Sequence, residues 1–156
     1  KIRYLAKGLK CEYIVLDHIS IVVSGLESGD ERRSIDNVMT GLRSLVEETG
    51  ISLLLVSHLR RPMGDRGHED GREVSLSHLR GSASIAHLSD SVIALERNQQ
   101  ADNEFEANTT TLRILKNRYT GDTGIAAYLH YDNDTGRMTE VNSIDGEENE
   151  YDQTLW

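Results

Sequence analysis

Two short apolar runs, EYIVLDHIS at 12–20 and ISLLLVS at 51–57, flank one amphipathic stretch, and this pattern constrains the fold more than any other feature. The first run is interrupted by Asp17, which suits a buried parallel strand ending there, and the second reads as another such strand. Between them Ile35, Val38, Met39, Leu42, Leu45 and Val46 recur at helical spacing, with Gly50 as a stop. The tetrapeptide SGDE at 28–31 has the Ser-x-x-Glu form of a capping box, which would start that helix at Ser28. Strand, helix, strand at this spacing is a βαβ unit, and its connection should be right-handed.

The flanking chain adds to this unit. Ile2, Leu5, Ala6 and Leu9 already follow helical spacing and no initiator methionine precedes them, so the chain is expected to be a C-terminal fragment. Residues 58–75, HLRRPMGDRGHEDGREVS, form a long polar loop that is expected to be functional or disordered. A short helix is expected at 82–90 and a third core strand at 91–96. After a polar link, 109–118, 124–131 and 136–141 should form a strand meander joined by TGDTG and NDTG turns. In its first strand Ile114, Lys116 and Arg118 should point one way, placing two cations on one face where the strand ends.

Composition excludes several classes. No run approaches the ~18 apolar residues that a membrane helix needs, and no signal-peptide pattern is present. A single cysteine, Cys11, rules out an internal disulfide framework and fits a reducing cytosol. The His residues show no metal spacing, since HEDG at 68–71 is not H-E-x-x-H, so metal held by His or Cys is not expected. A net charge of −9 argues against a surface that coats nucleic acid as a whole. That charge is uneven: Asp145, Glu147, Glu148, Glu150 and Asp152 supply most of it, and a local basic site is compatible with the rest.

Ligands of open parallel sheets sit beyond the carboxyl ends of the strands, and Asp17 and His58 occupy two such ends. A carboxylate there can hold Mg²⁺ through water, opposite a phosphate. An imidazole there can hydrogen-bond a terminal phosphate. Arg60, Arg61, Arg66 and Arg72 in the loop could contact nucleic-acid phosphates, and Lys116 and Arg118 could stabilise charge on a transferring phosphoryl group. Each residue also fits a plainer role: a turn Asp, an exposed loop His, a solvated loop, an edge strand guarded by charge.

The order of these features resembles a known family. YIVLDHIS, LLLVSHLRRP, LRGSASIAHLSDSVIALERNQQ and RILKNRYTGDTG closely resemble the helicase half of the bifunctional primase–helicases of short-tailed phages. They are similar, more distantly, to DnaB-type hexameric replicative helicases and the mitochondrial helicase Twinkle. The resemblance implies a Walker B aspartate at Asp17 and a γ-phosphate sensor at His58. It places Arg60, Arg61 and Arg66 in a channel loop that grips single-stranded DNA. Arg118 matches the arginine finger that reaches a neighbouring subunit's nucleotide, with Lys116 beside it, and Arg97 and Tyr131 match the pair that sandwiches the base. His87 stands where that family commonly has Gln, in a segment coupling nucleotide state to DNA. An imidazole donates one hydrogen bond and accepts another, but cannot present both ends of an amide in the same geometry.

The fold expected from the resemblance is α/β, a RecA-like P-loop NTPase core with a mainly parallel sheet, flanking helices and C-terminal antiparallel strands. Residues 1–142 would be the C-terminal part of that domain and 143–156 a disordered acidic tail. The Walker A pattern G-x-x-x-x-G-K-[ST] does not occur in these residues, and the family's catalytic Glu lies further upstream. Both are expected before residue 1, so the fragment alone should not turn over. The whole protein would use Mg²⁺ with ATP or a dNTP to drive 5′→3′ travel of a homo-hexameric ring along single-stranded DNA. It would act in the cytoplasm of an infected bacterium, with no membrane partner. Its acidic tail, ending in Trp156, would dock a replicative DNA polymerase and a single-stranded-DNA-binding protein. Two other readings share parts of this sequence: a RecA-type recombinase ATPase, and a ring-forming DNA-binding adaptor without turnover.

Overall fold

The computed structural model describes residues 1–24, 30–60, 67–80 and 83–146. Expectations for Ser28, Arg61, Arg66 and Trp156 therefore fall outside the described residues. The chain divides into two compact units, Lys1–Arg60 with Leu76–Ser89, and Arg61–Ser75 with Asp90–Trp156. Among the described residues no helix is long and apolar enough to cross a membrane.

The first unit contains the βαβ pattern. Strands β1 (Tyr13–Leu16) and β2 (Ser52–Leu55) pair in parallel, Tyr13 opposite Ser52 and Leu16 opposite Leu55. Helix α3 (Glu31–Thr49) connects them, with α1 (Ile2–Lys7), α2 (Ile19–Ser24) and α4 (Ala83–Leu88) beside it. Its N-cap is Asp30, two residues beyond the expected Ser28. The Asp30 carboxylate accepts the Arg32 and Arg33 N–H groups at 3.0 and 3.3 Å, satisfying two donors that the first turn leaves open. The helix stops where expected, because Gly50 takes φ +71° and its N–H returns to Val46 O at 2.8 Å.

The apolar stripe of α3 builds the core. Ile35, Met39 and Leu42 are buried against Ile19, Val23 and Ile85, with Leu16, Leu53 and Leu55 closing the sheet side. The strands are not buried on both faces as expected. Successive side chains alternate across a strand, so these helices cover one face and leave Tyr13, Val15 and Leu54 exposed on the other.

The second unit is a four-stranded antiparallel sheet in the order β3 (Ser91–Arg97), β4 (Thr109–Asn117), β5 (Gly124–Asp132), β6 (Arg137–Val141). The expected meander is present. The stretch expected as a third core strand is β3, which pairs antiparallel with β4. Its faces are also inverted relative to simple hydropathy, since Ala94 and Glu96 are buried while Ile93 and Leu95 are exposed. The expected polar link holds a short helix, α5 (Glu104–Ala107), capped by Asn103, whose side chain accepts the Phe105 N–H.

One further correction concerns the two cations. Lys116 pairs with Val92, but Ile114 pairs with the next β3 residue, Ile93, so Leu115 is an extra residue in β4. Such a bulge shifts the alternation by one. Lys116 therefore shares a face with Arg113 and not with Ile114, and Arg118 follows the strand end.

Candidate functional site

In the first unit Asp17 and His58 follow the carboxyl ends of the paired strands β1 and β2. Leu16 O accepts the Val56 N–H at 3.0 Å, and Val56 O accepts the Ile19 N–H at 3.1 Å. These bonds extend the parallel pairing just past both strands, so both residues lie at the same carboxyl edge. Both are exposed. His18, not anticipated from the sequence, meets His58 edge to face with ring centroids 4.1 Å apart. Its Nδ1 is buried without a hydrogen-bond partner. The residue directly after Asp17 was the available signal.

Residues 58–60 are held in place. Leu59 bridges Leu79, Arg60 N–H donates to His78 O at 2.8 Å, and Arg80 N–H donates to His58 O at 2.9 Å. The Arg60 guanidinium bonds Ser77 O. His87 sits in the last turn of α4, whose Ile85 is buried in the core.

The other expected residues belong to the second unit. Arg118 donates to Asp90 Oδ1 at 2.9 Å, and its N–H bonds Asp90 O at 2.8 Å. Arg97 and Tyr131 are joined through Asn108. Arg97 Nε donates to Ala107 O at 2.6 Å and Nη2 to Asn108 Oδ1 at 2.8 Å, while Tyr131 N–H donates to Asn108 O at 2.9 Å. Asn108 and Tyr131 line a cavity of about 450 Å³ together with Phe105 and His130 from α5 and β5. Arg97 is not among the lining residues but bonds Asn108, which is.

The chemistry of this cavity is specific. Phe105 and His130 stack with ring centroids 4.0 Å apart and nearly parallel planes. Thr109, fully buried, gives its one hydroxyl proton to Phe105 O at 2.7 Å. At 3.1 Å from His130 Nδ1 the same oxygen is then placed to accept from that ring nitrogen. Glu104, Asp132 and Asp134 complete the wall. Backbone N–H groups of Thr135 and Asp134 hold the Asp132 carboxyl below the usual carboxylate range, so it stays ionised. Acidic residues and a stacked aromatic pair line the cavity with no Lys or Arg among the described lining residues, which disfavours a phosphate there.

Phe105, Asn108 and His130 escaped the sequence reading, because the link that carries two of them is mostly polar. Residues 143–146, expected in the tail, begin against the same helix, where Asn103 Nδ2 donates to Asp145 O at 3.3 Å. Among the described residues no cluster of three or more His, Cys, Asp or Glu side chains could hold a metal.

Comparison with known proteins gives a consistent picture. The DnaB-like helicase C terminal domain family matches residues 1–140. The chain is 49% identical over its whole length to the DNA helicase/primase of Enterobacteria phage T3, spanning 27% of that protein. It is 26% identical over 137 residues to a probable plasmid replicative DNA helicase of Chlamydia psittaci, covering 88% of this chain and 29% of that one. A solved ATPase domain superposes with a TM-score of 0.71 at 17% identity, over 91% of this chain and 52% of that one. That last likeness supports the fold, α/β and RecA-like. The chain thus spans under a third of the two curated relatives.

Proposed function

The chain belongs to the family of DnaB-like helicase C-terminal domains, and on that premise we propose that it is the C-terminal part of a replicative DNA helicase motor. The motor couples Mg-NTP hydrolysis to 5′→3′ movement of a hexameric ring on single-stranded DNA and opens the duplex at a fork. The observation that carries this reading is the position of Asp17 and His58 beyond the carboxyl ends of paired parallel strands. Asp17 offers one exposed carboxylate, which fits Mg²⁺, an ion that keeps several waters and takes phosphate oxygens as its other ligands. When bound, that ion neutralises charge on the triphosphate. His58, braced by the His18 ring, hydrogen-bonds the terminal phosphate and reports its presence to the 58–60 segment.

Arg118 reaches the nucleotide of the next subunit, with Lys116 beside it. Arg97, through Asn108, and Tyr131 hold the base, and the acidic cavity wall keeps the phosphates pointing away. Arg60, Arg61 and Arg66 grip the DNA backbone, and His87 takes part in relaying nucleotide state. The acidic tail and Trp156 dock a polymerase or a single-stranded-DNA-binding protein.

The test uses the longer protein that carries this chain, on forks with only a 5′ or only a 3′ single-stranded arm. The wild type is expected to open the 5′-armed fork when supplied with Mg²⁺ and NTP. Asp17→Asn is expected to lose hydrolysis and unwinding together. Unwinding from the 3′ arm alone would overturn the direction, and normal hydrolysis by Asp17→Asn would overturn the site.

A further inference from the structure

One short run in the second unit, residues 96–99 at the end of β3, touches both the downstream stem of the long loop and the wall of the cavity. On the loop side the buried Glu96 carboxylate accepts the Val74 N–H at 2.7 Å and the Arg113 guanidinium at 3.0 and 3.1 Å. Arg113 reaches on to Glu73 at 3.2 Å. Asn98 forms an antiparallel bridge with Asp70, and the Gln99 N–H donates to Glu69 O at 2.9 Å. Gly71 lies at φ +75°, and a Cβ there would stand 2.9 Å from Asn98 Cβ, so only glycine lets the loop run this close.

The same residues reach the cavity on their other side. Arg97 holds Ala107 O and Asn108 Oδ1. Asn98 Nδ2 donates to Glu106 Oε1 at 2.9 Å, and Glu106 belongs to the helix whose Glu104 and Phe105 line the cavity. The run is anchored between these contacts, since Glu96 and Arg97 pair with the buried Thr111 and Thr110 of β4. A carboxylate that is buried, paired and multiply hydrogen-bonded holds one geometry, unlike an exposed ion pair.

We propose that Glu96 and Asn98 are positioning residues that couple the base cavity to the DNA-binding loop. They fasten the loop stem 69–74 and helix α5 to one strand end, so a base in the cavity and a strand on the loop bias the same element. This rests on the function proposed above. Coupling of this kind is reciprocal and is read as a ratio of affinities.

The experiment measures binding of a fluorescent oligo-dT to the longer protein, with and without a saturating β,γ-methylene nucleoside triphosphate. The wild-type ratio of the two dissociation constants is the coupling factor. Asn98→Ala, which cuts the Glu106 bond, is expected to bring that ratio at least about fivefold closer to one while each ligand still binds. Glu96→Gln keeps the side-chain size and is expected to do the same from the loop side. Should Glu96→Gln fail to fold, the half-buried Asn98 decides the matter. A purely structural role would shift both dissociation constants and leave their ratio intact, and that result overturns the proposal. A wild-type ratio of one overturns it as well. Failure of the wild type to bind either ligand instead sinks the functional reading beneath it, and the two failures are therefore distinguishable.

Discussion

Arg118 is held by Asp90 at 2.9 Å, with side chains 45% and 29% exposed. A pair this open to solvent is worth about 0–1 kcal/mol, so it gives way easily to a phosphate, whose bonds to guanidinium are bidentate and charge-assisted. Arg118 is thus oriented without being trapped. In the longer protein, Arg118→Ala is expected to leave nucleotide binding largely intact and to cut DNA-stimulated hydrolysis by ~10³-fold or more. Mixed rings with Asp17→Asn subunits should recover part of the activity, because a finger works across a subunit boundary. Normal hydrolysis by the Arg118→Ala ring, read as phosphate release, would end the assignment. At this scale the sequence was informative where a residue's place depends on a strand end, as for Asp17 and His58. It was silent on Asn108, which matters only because Arg97 and Tyr131, far apart in the chain, both bond to it.

Helices α1 and α3 meet through a small charge cluster. Arg3 bonds Glu48 at 2.7 Å, Lys7 bonds it as well, and together they lower the Glu48 pKa from 4.5 to about 2. The Arg3 hydrogen bond is the largest cause, and Arg3 is itself raised. A carboxyl depressed on folding adds stability that is present above its unfolded value near 4.5 and is lost as pH falls through about 2. The group is solvent-exposed, so the effect is local: α1 should loosen from α3 across that window while the core of α3 persists. Carbon-13 titration of the Glu48 carboxyl should show a midpoint near 2, moving toward 4.5 in Arg3→Ala. A wild-type midpoint already at 4.5 would dissolve the cluster. Element by element, periodicity located α3, α4 and the meander, because those patterns are local. It did not reveal which face of β1, β2 or β3 is covered, since that depends on what packs there. Nor did it show the extra residue at Leu115, which re-aims Lys116.

Taken whole, the chain carries a net charge of −9, yet its proposed partner is a polyanion. A region of that charge does not attract DNA by its own field, so on the proposed function its contribution to affinity comes from a few cations brought close to the backbone. The loop that begins at His58 is the place where the sequence concentrates them. Its near end is fixed by Arg60 on Ser77 O and His78 O, and its far end is fixed by the stem at 69–74 on β3. Part of this was readable in the sequence, as an overlong polar loop with several arginines. The anchoring was not, because it relies on Glu96, a charge that hydropathy assigns to the surface and the fold buries. Replacing Arg60, Arg61 and Arg66 together by Ala should therefore weaken single-strand binding equally across sequences. The plot of log affinity against log salt should become shallower by ~0.7 for each phosphate that the loop no longer neutralises. Fluorescence anisotropy at several salt concentrations measures this directly. An unchanged slope would mean that these arginines neutralise no phosphate and that the DNA is gripped elsewhere.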